Sequence, residues 1–112
     1  MAVYFTTEDP EKLLAEFKKK IDSKAIVTWS YDDDGDFTHT PSQWVRRAWL
    51  RPRIQNGKLA LFVIPPREKT ISTEVYAVFH GRFIESMLVH CDNFFSKGSS
   101  SAMPEGEDTI KG

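Results

Sequence analysis

Cysteine is almost absent from this 112-residue chain, which has only Cys91. A lone thiol excludes an intramolecular disulfide and any zinc site built on several cysteines, and it fits a reducing compartment. Long apolar runs are missing too, and nothing approaches the ~20 residues of a membrane span. The opening stretch MAVYFTTEDPEK has neither the basic start nor the apolar run of a secretory signal. A cytoplasmic location without membrane contact is therefore expected. Net charge is also small: 15 basic and 16 acidic residues leave −1, so no global field draws nucleic acid or membrane. Glycine-rich phosphate loops, nucleophile elbows, HExxH and dinucleotide fingerprints do not occur, and neither a cofactor nor a metal is expected.

What is present is the composition of an ordinary globular domain, with 40% hydrophobic and 28% charged residues. The charges are segregated. Residues 25–43 hold four Asp and no Lys or Arg, whereas residues 44–69 hold seven Lys or Arg and one Glu.

The stretch WVRRAWLRPRIQNGKLALFVIPP, from Trp44 to Pro66, organises the chain. Asn56-Gly57 between two apolar runs is a strong hairpin signal, and a type I′ turn with positive φ at both residues is expected. A two-residue loop sets the register, so Arg51 faces Phe62 and Trp49 faces Ile64. One face then carries Ala48, Leu50, Pro52 and Ile54 against Leu59, Leu61 and Val63, which is core material. The other carries Arg47, Trp49, Arg51 and Arg53 against Lys58, Ala60, Phe62 and Ile64. Thr40-Pro41 is able to open a helix over residues 41–50, but the hairpin needs a partner run of comparable length, so a strand over 44–54 is expected. Pro52 cannot donate to a ladder, which puts that strand at an edge near the turn.

Elsewhere the patterns are helical or alternating. Residues 1–6 favour a short extended arm. Asp9-Pro10 is a helix start, and Leu13, Leu14, Phe17 and Ile21 form one stripe to about residue 22, with Lys18–Lys20 suited to the C-terminal end. From Lys24 the period changes to two, predicting a strand with Ala25, Val27, Trp29 and Tyr31 on one side, ended by an Asp-rich turn; residues 36–43 are expected as a loop. The second helix is expected over residues 72–96. Its apolar residues, Tyr76, Phe79, Phe83, Met87 and Phe94 among them, cover about half the wheel, where a surface helix needs a stripe of ~100°. The excess predicts several neighbours, including a second subunit. Gly81 costs about 1 kcal/mol against Ala in mid-helix, which predicts a close backbone approach there. The expected fold is α+β and two-layer: a mainly antiparallel three-stranded sheet, in the order α-β-β-β-α, packed against two helices. Residues 1–96 form this single domain and residues 97–112 a disordered tail.

The residues support three functional readings. The first is a cytoplasmic interaction domain, homodimeric through helix two (Tyr76, Phe79, Phe83, Met87, Phe94) or through the second sheet face. The second is a weak single-stranded nucleic-acid binder that stacks bases and contacts phosphates with Arg47, Trp49, Arg51, Arg53 and Phe62. The third is a small enzyme centred on His39 as general base and the Asp32–Asp36 loop. Asp32, Asp34 and Asp36 have the spacing of the first three ligands of a calcium loop, but Phe37 replaces the required Gly and Gln43 the bidentate Glu, so a polar turn is expected. His80 and His90 are about 15 Å apart along the helix and cannot share a metal.

Overall fold

A computed structural model describes residues 2–111. The elements are β1 (Val3–Thr6), α1 (Pro10–Asp22), β2 (Trp29–Tyr31), β3 (Phe37–His39), β4 (Trp49–Gln55), β5 (Lys58–Ile64), α2 (Thr73–Cys91), a 3-10 turn (Asp92–Phe94) and β6 (Lys97–Ser100). The class is α+β as expected, but the sheet has six strands rather than three, all antiparallel, in the order β2-β3-β4-β5-β1-β6.

The two helices form where their caps place them. Asp9 accepts the Lys12 amide at 3.1 Å with Pro10 in the first turn, and Ser72 accepts the Val75 amide at 3.2 Å. Both helices pack on one sheet face around a single core that includes Leu13, Phe17, Leu50, Leu61 and Phe83. Phe83 is at its centre, with ring centroids 6.0 Å from Phe5, 4.7 Å from Phe17, 5.0 Å from Trp29 and 5.5 Å from Phe37. It thus reaches β1 and β2, which have three strands between them, so the sheet curls around α2.

The hairpin has the expected register from Trp49↔Ile64 to Gln55↔Lys58, with Arg51 opposite Phe62. Its turn differs. Only Gly57 takes positive φ (+75°), so the turn is not type I′; the Gly57 carbonyl accepts the Thr7 amide at 3.0 Å, tying the tip to the β1–α1 junction. β4 is interior, yet β3 pairs with it only at Leu50, which leaves Pro52 without a neighbour on that side.

Several expectations are corrected. Residues 44–48 are not strand: Pro41 opens a helical turn in which its carbonyl accepts from Trp44 (2.8 Å) and Val45 (3.0 Å), and Arg46 at φ +59° closes it. The β2 strand is only Trp29–Tyr31, because Lys24 (φ +66°) ends α1 in a left-handed residue and Ile26, not Val27, turns into the core. Residues 37–39, expected in a loop, form β3. The second helix stops at Cys91 rather than near residue 96. Among the described residues nothing lies within 4 Å of a Cβ built on Gly81, so no close approach explains it. Residues 97–100, expected in a disordered tail, form β6 along β1, with Ser100 opposite Val3. The open edge of β1 supplies backbone partners that the polar side chains of Lys97–Ser100 gave no reason to expect.

Candidate functional site

Alternation along β4 and β5 turns Trp49, Arg51 and Arg53 to the sheet face opposite the helices, with Phe62 and Ile64 beside them. β1 adds Tyr4, and Ala2, just before the strand, forms a second, small apolar cluster there with Ala60 and Phe62. Tyr4 meets the Phe62 ring edge-on at 6.3 Å, and the Lys58 ammonium lies 4.9 Å from the Tyr4 centroid. Four of the five residues singled out for this face are therefore together. Arg47 is not, because it belongs to the turn preceding β4 and is exposed.

The guanidinium groups are already occupied. Arg51 donates from Nε and Nη2 to the two carboxylate oxygens of Asp36 at 3.0 and 2.8 Å, a bidentate pair that raises the Arg51 pKa further. Arg53 Nε donates to Glu107 Oε1 at 2.9 Å.

Glu107 belongs to a strap, residues 101–111, that lies across this face. Asp108 donates its amide to the Glu105 carbonyl at 3.0 Å, and the Glu105 amide donates to Asp108 Oδ2 at 3.0 Å, which closes a tight turn. Gly106 (φ +58°) rests on Phe62 so closely that a Cβ there would meet Cε1 at 2.6 Å. Phe62 is accordingly only 3% exposed. The Tyr4 hydroxyl donates to Glu105 Oε1 at 2.6 Å; burial, chiefly, and this carboxylate push the phenol up to about 12. Beyond Val3↔Leu61, where β1 stops pairing, the strap continues the ladder: the Val63 amide donates to Asp108 Oδ1 and the Thr109 amide to the Val63 carbonyl, both at 2.8 Å. The Ile71 amide then donates to the Ile110 carbonyl at 2.7 Å. A cleft of about 210 Å³ remains between strap and sheet, lined by Arg51, Phe62, Ile64, Pro65, Glu107 and Thr109.

Sequence reasoning missed Tyr4 and the Glu105–Asp108 turn. The turn's one signal was charge, since Glu105-Gly106-Glu107-Asp108 is opposite in sign to Arg51, Arg53 and Lys58; Tyr4 gave none.

The helix-two residues lie elsewhere. Tyr76, Phe79, Phe83 and Met87 are buried in the core of their own chain, and Phe94 is half-buried with the Lys12 ammonium 5.6 Å from its ring. Packing on both the sheet and α1 accounts for the width of the apolar arc. The exposed large apolar side chains of α2 are Leu88 and Val89.

His39 is 2% exposed rather than in an open loop. Its Nδ1 donates to the Thr28 carbonyl at 2.7 Å, its ring is 4.7 Å from that of Trp29, and its Nε2 has no hydrogen-bond partner among the described residues. Burial, above all, pushes its pKa down. Carboxylate oxygens of Asp32, Asp34 and Asp36 gather within 4.8 Å of one another. Asp32 Oδ1 accepts the Asp34 and Asp36 amides at 3.0 Å, and Asp36 is paired with Arg51, so the cluster is built as a polar turn.

No protein-family model, curated protein or solved structure matches the chain. Among the described residues, no helix is long and apolar enough to cross a membrane.

Proposed function

We propose that the protein is an interaction domain whose binding surface is the outer face of β4, β5 and β1, and that this surface takes an acidic protein segment shaped as a tight turn. The supporting observation is the strap itself: Glu105 on Tyr4, Gly106 on Phe62, Glu107 on Arg53 and Asp108 on the Val63 amide are an internal example of the chemistry the face accepts. Of the two interaction surfaces expected from the sequence, this reading takes the sheet face and leaves helix two to the core. A second copy of the chain is one source of such a segment, because it carries the same strap. A cytoplasmic location belongs to the same reading, in keeping with the single buried cysteine.

A nucleic acid is the less favoured ligand because the fit seen in the strap needs a glycine over Phe62 with carboxylates reaching Tyr4 and Arg53, which a nucleotide chain does not offer. Titrating the full chain with a peptide of residues 101–111, and separately with a single-stranded oligonucleotide at low salt, tests the choice. Trp49, half-exposed beside the face, reports by fluorescence. The peptide is expected to change the emission at millimolar concentration and the oligonucleotide to leave it alone. A response to the oligonucleotide that vanishes with added salt moves the function to nucleic acid. Silence toward both removes this surface as the binding site. Light scattering that rises with protein concentration identifies a second copy as the partner.

A further inference from the structure

The strap and the surface beneath it are unequal in character. Every residue from 102 to 107 is exposed, Met103 by 73%, and Ile110 is 38% exposed. The segment is held instead by hydrogen bonds and by the exposed Arg53–Glu107 pair, all of which water and salt can replace. Beneath it are fully or nearly fully buried groups: Phe62, Ala60 and Ala2, with the Val63 amide and carbonyl. A segment with little apolar burial opens locally well before the rest of the fold. Opening this one exposes an apolar patch ringed by Tyr4, Arg53 and Lys58, with two unpaired backbone groups at its end.

We infer that the strap is an autoinhibitory mimic, occupying the surface until an acidic turn supplied in trans displaces it. This rests on the outer face being a binding surface. The displacing segment has the chemistry of the strap: a glycine where the chain passes over Phe62, because any Cβ collides with the ring, and a carboxylate on each side to reach Tyr4 and Arg53. The apparent affinity for such a segment is its intrinsic affinity scaled by the fraction of molecules with the strap open.

Gly106→Val in the full chain is the direct test, since the new side chain meets Phe62 and sits at a strained φ of +58°. Without any ligand, the Val63 and Ile71 amides are expected to exchange with solvent at least about tenfold faster in the variant, while Leu59 and Leu61 exchange unchanged. A fluorescent peptide of residues 101–111 is expected to bind the variant at least about tenfold more tightly than the natural chain. Equal binding to both overturns the gate and leaves the surface standing. Faster exchange with no binding to either overturns the surface reading, and the strap is then a structural cover. Unchanged exchange at Val63 overturns the strap as a separately opening element. If Gly106→Val unfolds the chain, Glu107→Lys is put through the same measurements. Glu107 is exposed, and its replacement reverses the charge facing Arg53, so both readouts are expected to move in the same direction by up to about fivefold, the range of an exposed ion pair.

Discussion

Arg51 grips Asp36 through two parallel hydrogen bonds across the junction of β3 and β4, joining the basic segment 44–69 to the acidic segment 25–43 that precedes it. Asp36 is 5% exposed, so removing its guanidinium leaves a desolvated carboxylate with less compensation. Arg51 is itself part-exposed, which moderates the loss. Arg51→Met is expected to cost about 1–3 kcal/mol in urea unfolding. Arg53→Met, which breaks an exposed pair, is expected to cost about 0–1 kcal/mol. Equal losses would contradict this ranking.

The Phe83 ring touches β1, β2, β3 and α1 together. Phe83→Ala should destabilise the fold by about 3–5 kcal/mol, the cost of lost burial plus an unfilled cavity. Chemical denaturation measures it directly. A loss below about 1 kcal/mol, the range of ordinary surface changes, is incompatible with this placement.

His39 gives the protein a stability that declines toward acid pH. Its folded pKa is below 6.5, first because it is buried, with Arg82 adding to the shift and Thr28 and Glu85 opposing it. As pH falls through 6.5 the unfolded chain takes up this proton first. The contribution is therefore complete above 6.5, declines between 6.5 and the lowered folded value, and is level below that. Urea midpoints from about pH 7.5 to about pH 5 should fall more steeply for the natural chain than for His39→Gln. Parallel curves count against a buried neutral imidazole.

Tyr4 sets an alkaline limit on strap closure. The phenol is held protonated up to about 12 against an ordinary 10.0, by burial first and by Glu105 second. The folded form thus keeps its proton longer than the unfolded chain. The contribution of the contact is complete below pH 10.0 and is lost as pH rises through about 12. Absorbance titration of the phenolates, with Tyr4→Phe to assign the transition, should place it there. Glu105→Gln should move it only part of the way back, because burial remains. A Tyr4 transition at its ordinary value would mean that the strap does not cover it.

The legible parts of the fold are those written in local chemistry. Asp9-Pro10 and Ser72 mark real helix starts because caps act within one turn. Asn56-Gly57 marks the hairpin, and its two-residue loop carries the register of Arg51 and Phe62 with it. The parts missed depend on distant partners. Phe37–His39 is too short to show a period, and it is strand because β2 and β4 flank it. Lys97–Ser100 has no apolar pattern at all and is strand because β1 presents an unpaired edge. Thr40-Pro41 did signal the helical turn that displaced Arg47 from the binding face, but the demand for a long hairpin partner outweighed it. For the site, alternation brought Trp49, Arg51, Arg53 and Phe62 together, while Asp36 and the Glu105–Asp108 turn were visible only as charge of opposite sign.

β1 lies between β5 and β6, and the Ala2 amide is satisfied by a serine 99 positions further on. The hairpin of β4 and β5 closes between adjacent segments, but β1 has only one neighbour until residues 97–100 reach it. Such long-range closure is slow, and the waiting edge is the part of the folding chain most exposed to mispairing. Chaperone engagement during folding is therefore expected to concentrate on β1.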